Sequence, residues 1–114
     1  MSNLFLDTRT LEHMREKPGM YFLPPLFPAF CNYVTGCHAA LRDFAPQQPL
    51  CAELDGFDDW LCTRFQIRLP SFRWQQVVWE RASEDHEQVR LFIDLFLAYR
   101  RQRAVDHPVS PLTT

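Results

Sequence analysis

Apolar side chains recur at intervals of three and four along most of this chain, the period of amphipathic helices. Phe30, Tyr33, Val34, Cys37, Leu41 and Phe44 fall on one face in this way. Pro28 stands at the first turn of that run, where its missing N–H is not needed, so a helix is predicted from there. Val89, Phe92, Ile93, Phe96, Leu97 and Tyr99 form a second, longer face. Ser83 is placed to cap it, Glu84, Asp85 and Glu87 lie near its start, and Arg100, Arg101 and Arg103 lie near its end. Those signs suit the helix dipole at both ends. Leu11 and Met14, preceded by the cap types Asp7, Thr8 and Thr10, predict a first helix over 8–17, stopped by Pro18-Gly19.

The middle of the chain is shorter-worded. Phe57, Trp60, Leu61, Arg64 and Phe65 predict a third helix beginning at Asp55 or Gly56, with Asp58 and Asp59 in its first turn. Ser71 is the candidate cap of a fourth, carrying Trp74, Val77, Val78 and Arg81, although Val77-Val78-Trp79 fits a strand equally well. Met20–Phe27 reads as a proline-stiffened connector laying Tyr21, Phe22 and Leu23 against the core, and Ala45–Leu50 reads as a loop. Gly36 interrupts the second helix pattern at a cost of about 1 kcal/mol, so close approach of a neighbouring helix is expected there. From Asp106 onward, with Pro108 and Pro111, a flexible tail is expected. The architecture predicted is all-α: one domain over 1–105, a compact bundle of about five helices around an aromatic-rich core, and a tail over 106–114.

Composition supports this reading. The 114 residues are 46% apolar and 14% aromatic, with ten Phe, enough for a core without metals or disulfides. A net charge of -2 supplies no general field for nucleic acid or a membrane surface. Cys31, Cys37, Cys51 and Cys62 contain no Cys-x-x-Cys, and with His38 they match no common zinc spacing. Buried thiols in a reducing compartment are the reading preferred over a disulfide or a metal site. Residues 1–20 lack a basic start followed by a long apolar run, and Pro24, Pro25 and Pro28 break the apolar stretch Phe22–Phe30. A cytoplasmic protein is expected, with no membrane partner and no cofactor.

The one distinctive phrase is Leu11-Glu12-His13-Met14-Arg15-Glu16-Lys17-Pro18-Gly19-Met20-Tyr21. It resembles the Arg-Pro-Gly-Met-Tyr phrase of type IIA topoisomerase ATPase subunits, with Lys17 in place of Arg. Gly19, Gly36 and Gly56 are scattered, however, and no phosphate-cradling loop accompanies the phrase. The phrase also resembles that of short bacterial proteins that look like antitoxin or immunity partners of secreted toxins. Their layout is matched further by Tyr33, Phe57-Asp58-Asp59-Trp60 with Phe65, Trp74, and Glu87 followed by Phe92, Phe96 and Tyr99. The Pro24-Pro25 stretch departs from the pattern, which has a Gly shortly after the Tyr. The resemblance implies a helical, non-catalytic protein that blocks one cognate protein toxin.

A toxin acting on nucleic acid carries a basic cleft, and acids on its inhibitor would pair with that cleft. The candidates are Glu53, Asp55, Asp58 and Asp59, then Glu84, Asp85 and Glu87, with Phe57 and Trp60 as exposed aromatic anchors. The alternative is that each acid run merely charges a helix N-terminus. Enzyme chemistry finds little support. Cys37 and His38 are adjacent on a helix and diverge by about 100°, His13, His86 and His107 are dispersed, and Glu12 and Glu16 lack a partnering Glu-x-x-His. A basic-aromatic patch at Arg64, Arg68 and Arg73, flanked by Phe65, Phe72 and Trp74, is the remaining nucleic-acid candidate, and its acidic neighbours oppose it. A small helical adaptor with no toxin partner is the alternative function.

Overall fold

Asp7 begins the first helix as expected: its carboxylate accepts the Thr10 N–H at 2.7 Å. That bond holds the Asp7 carboxyl below its ordinary range. The computed structural model describes residues 6–24, 26–67 and 73–106. Its helices are α1 Thr8–Glu16, α2 Phe27–Phe44, α3 Pro49–Phe65, α4 Arg73–Arg81 and α5 Asp85–Asp106, with a 3-10 turn at Pro18–Met20. No strand occurs among the described residues, so Val77-Val78-Trp79 is helical. Residues 107–114, Arg68, Ser71 and Phe72 lie outside the described residues, and with them the expected tail and the cap of α4.

Two boundaries and two exposures depart from expectation. The third helix begins at Pro49 rather than at Asp55 or Gly56, because Pro49 occupies its first turn, where a proline is tolerated. The last helix begins after Ser83, with the Glu84 carbonyl accepting the Gln88 N–H at 2.9 Å. Phe44 is 86% exposed although it continues the apolar face of α2, and Leu23 is 77% exposed although Phe22 before it is buried.

α5 is the axis of the bundle and packs against all four other helices. Phe92, Ile93 and Phe96 are fully buried on it, as the spacing predicts. Phe92 stacks on Trp74 of α4 at 4.7 Å between centroids, and meets Phe30 of α2 edge-on at 5.0 Å and Phe57 of α3 at 5.3 Å. Aromatic rings therefore join four helices at one point, in the offset and edge-on geometries that ring quadrupoles favour.

Arg100 makes the second joint. Its guanidinium donates to both Glu53 carboxylate oxygens at 2.6 and 2.7 Å, to Thr8 Oγ1 at 3.0 Å and to the Leu6 carbonyl at 2.9 Å. Arg15 adds a bond from α1 to Asp94 of α5 at 2.5 Å.

The close helix approach expected at Gly36 occurs at Gly56 instead. A Cβ at Gly36 would meet nothing within 4 Å, whereas at Gly56 it would lie 2.7 Å from Tyr99 Oη and 3.9 Å from Cζ. That hydroxyl donates to the Glu53 carbonyl at 2.8 Å, so it cannot retreat without losing a bond. Gly36→Ala is expected to stabilise the fold by about 1 kcal/mol through helix propensity alone. Gly56→Ala is expected to destabilise it by about 1 kcal/mol, since hydroxyl loss and ring displacement outweigh the same propensity gain. In a Tyr99→Phe background the Gly56→Ala change should turn favourable. Urea titration of the four proteins reads out the sign reversal, and a Gly56→Ala that stabilises the wild-type background would remove the close contact.

Candidate functional site

With α3 starting at Pro49, the four acids Glu53, Asp55, Asp58 and Asp59 lie in its middle rather than at its N-terminus. Successive residues on a helix turn by about 100°, so four acids at these positions spread around the cylinder. Their partners show the spread. Glu53 is spent on Arg100, with only 14% of its side chain exposed. Asp55 faces α2, where His38 Nε2 is 2.6 Å from its Oδ1. Asp58 accepts the Trp74 N–H at 3.0 Å and thereby caps the start of α4 from outside. Asp59 is exposed beside Cys62 and Thr63. The expected continuous carboxylate patch is thus divided among several neighbours.

The aromatic anchors also change role. Phe57 is 1% exposed, buried against Phe92, Phe96 and Tyr99, and is a core residue rather than an interface anchor. The apolar neighbours at positions 54 and 61 share its face, which is why it turns inward. Trp60 is half-buried, donates its indole N–H to Gln102 at 3.0 Å, and carries the Arg64 guanidinium over its ring at 5.3 Å.

At the start of α5 the acids serve different ends. Asp85 accepts the Phe27 N–H at 2.9 Å, which caps α2 and fixes it to α5. Glu84 lies 3.6 Å from His86, and Glu87 is exposed.

The surface feature that stands out was unmarked in the sequence. An open groove of about 740 Å³ runs between the first half of α2 and α4, lined by Phe27, Pro28, Cys31, Asn32, Gln75, Gln76, Trp79 and Glu80. Trp79 is 63% exposed on its wall, while Val77 and Val78 before it are fully buried. Leu26, at 43% exposure, directly precedes the groove, and the connector leading to it exposes Leu23 and Met20 at 77% and 69%. Burial pushes the Cys31 thiol up to about 11, and Cys37 likewise, so neither is a ready nucleophile near neutral pH. The signal was one residue long: within α4 a helical phase puts Trp79 about 200° from Val77 and so away from the buried face, but only once a helix is known to be there.

A smaller cleft of about 210 Å³ lies among α2, α3 and α4, lined by Thr35, His38, Arg42, Asp58, Trp74 and Gln75 among others. Among the described residues no helix is long and apolar enough to cross a membrane. No family model matches the chain, and neither does any curated protein or solved structure.

Proposed function

We propose that this chain is an immunity-type protein that binds one cognate protein toxin and blocks its active or substrate-binding surface. The observation that carries the reading is the α2–α4 groove with Trp79 standing exposed on its wall. Exposed tryptophans beside apolar grooves are the residue type that most often dominates binding energy at protein interfaces. The groove has an acidic rim: Glu80 lines it, and Asp85, following Glu84, is bonded to Phe27 at its edge. An apolar partner residue flanked by basic ones fits that arrangement, as a nuclease cleft or other basic effector surface would present. The contact therefore moves from the middle of α3, where Glu53 and Asp58 join it to α5 and α4, to the groove and the start of α5.

The test is calorimetric titration of the protein with the product of the adjacent gene, together with an assay of that product's toxicity. A one-to-one complex that silences the activity is expected. Trp79→Ala should weaken it about thirtyfold or more, roughly 2 kcal/mol, while leaving the melting temperature unchanged. Paired reversal of Glu80 and Glu84 to Lys should mainly slow association and flatten or reverse its dependence on salt. If the neighbouring product neither binds nor is neutralised, the immunity reading fails. Full affinity in Trp79→Ala would remove the groove and leave the α3 acids as the remaining surface.

A further inference from the structure

His38 on α2 and Cys51 and Asp55 on α3 bring one nitrogen, one sulfur and one oxygen donor to within 4.8 Å of one another. Cys51 and Asp55 are four residues apart on α3, so their side chains stand one above the other on a single face. His38 reaches that face from the neighbouring helix, with Nε2 2.6 Å from Asp55 Oδ1, and Cys51 Sγ lies 4.0 Å from Asp55 Oδ2.

We propose that this trio is a binding site for a divalent transition-metal ion, with zinc the best fit. Zinc takes thiolate, imidazole and carboxylate ligands at about 2.0 to 2.3 Å, and tetrahedral placement of such donors sets them roughly 3.3 to 3.7 Å apart. Reaching that spacing requires the His38–Asp55 pair to open by about 1 Å and the Cys51 thiol, now within 4.8 Å of the other donors, to approach them by up to about 1.5 Å. Both adjustments are side-chain rotations, since the backbone positions are held by two packed helices. A thiolate and a carboxylate with a neutral imidazole carry two negative charges, which a divalent cation balances. The donor set, which includes sulfur and nitrogen, disfavours magnesium and calcium.

Burial grades across the site. Cys51 is buried, whereas the Asp55 side chain is 56% exposed and His38 also lines the cleft among α2, α3 and α4. Three protein ligands leave a fourth position open, the arrangement of zinc sites that hold a water or an exchangeable ligand. Arg42, on the same cleft, opposes a cation and favours an anionic fourth ligand, hydroxide or a carboxylate. The site departs from the sequence expectation of no metal because its spacing, 38, 51 and 55, spans a helix break that ordinary motifs do not contain.

Titration of the reduced protein with cobalt(II), followed by competition with zinc, tests the proposal. One equivalent should bind with a sulfur-to-cobalt charge-transfer band and tetrahedral d–d bands, and zinc should displace it and raise the melting temperature. Cys51→Ser should abolish the charge-transfer band, while Cys31→Ser, whose thiol lies on the other groove, should keep it. His38→Gln and Asp55→Asn, which alter half-buried and exposed side chains, should fold normally and lose at least about tenfold to a hundredfold in affinity. Absence of the band in the wild type, its survival in Cys51→Ser, or wild-type affinity in both His38→Gln and Asp55→Asn would each overturn the site.

Discussion

Phe92→Ala is expected to be the most damaging single truncation in this protein, at about 4 to 5 kcal/mol, the upper end for a buried phenylalanine. The ring is fully buried and touches aromatic partners on four helices: Trp74, Phe30, Phe57 and Phe96. Its removal costs the transfer energy of the ring and leaves a cavity whose walls are themselves rigid rings, which collapse poorly. Domains of this size commonly have only about 5 to 15 kcal/mol in total, and each 1 kcal/mol moves the melting temperature by about 4 to 8 °C. A fall of about 16 to 40 °C is therefore expected, with a change in Trp74 fluorescence as its stacking partner is lost. Phe44→Ala, on a ring that is 86% exposed, should change stability by less than about 0.5 kcal/mol. A Phe92→Ala cost below about 1 kcal/mol would mean that the aromatic junction is not the core.

That contrast between two phenylalanines marks how far the sequence was legible. Both sit on regular three-and-four patterns, and both fall on predicted apolar faces. Periodicity identifies the face but not where the neighbouring element stops. Phe92 lies mid-helix under three other helices, whereas Phe44 ends α2, past the reach of its neighbours. The same limit explains α3. Pro46 and Pro49 read together as loop punctuation, but Pro49 opens a helix, and moving the start by about six residues changes what every acid on it faces. With the helix in place, the spacing of Cys51 and Asp55 becomes one turn and Asp58 lands beside α4; without it, neither relation exists. Glycines follow the same logic. Gly36 and Gly56 look alike as letters, and only the position of Tyr99, forty-three residues later, tells them apart. Local pattern carries the elements, whereas pairings across the bundle decide which polar groups are spent on the fold and which remain for a partner.

Glu53 and Arg100 are where that distinction has the largest consequence. Glu53→Leu is expected to cost about 2 to 3 kcal/mol, because the Arg100 guanidinium then loses two charge-assisted bonds while only 23% of its side chain reaches solvent. The value is set below that of a fully buried pair because water still touches both partners. Arg100→Leu should cost at least as much and adds a local effect: the Leu6 carbonyl and Thr8 hydroxyl lose their donor, so amide exchange should rise at the start of α1. The double variant puts apolar groups on both sides and should be less destabilised than the sum of the singles by 1 kcal/mol or more, roughly the coupling expected of groups in contact. Strict additivity in that cycle would mean the pair contributes nothing beyond its separate packing. Partner binding gives an independent reading of the same residues. Glu53 was a candidate contact for a basic toxin surface, yet its carboxylate is already bidentate to Arg100, and pairing with a partner would require breaking that joint. Loss of partner affinity in Glu53→Leu should therefore track its loss of stability, falling away at temperatures where the variant is fully folded. Loss of affinity in the fully folded variant would instead return Glu53 to the interface, and with it the middle of α3.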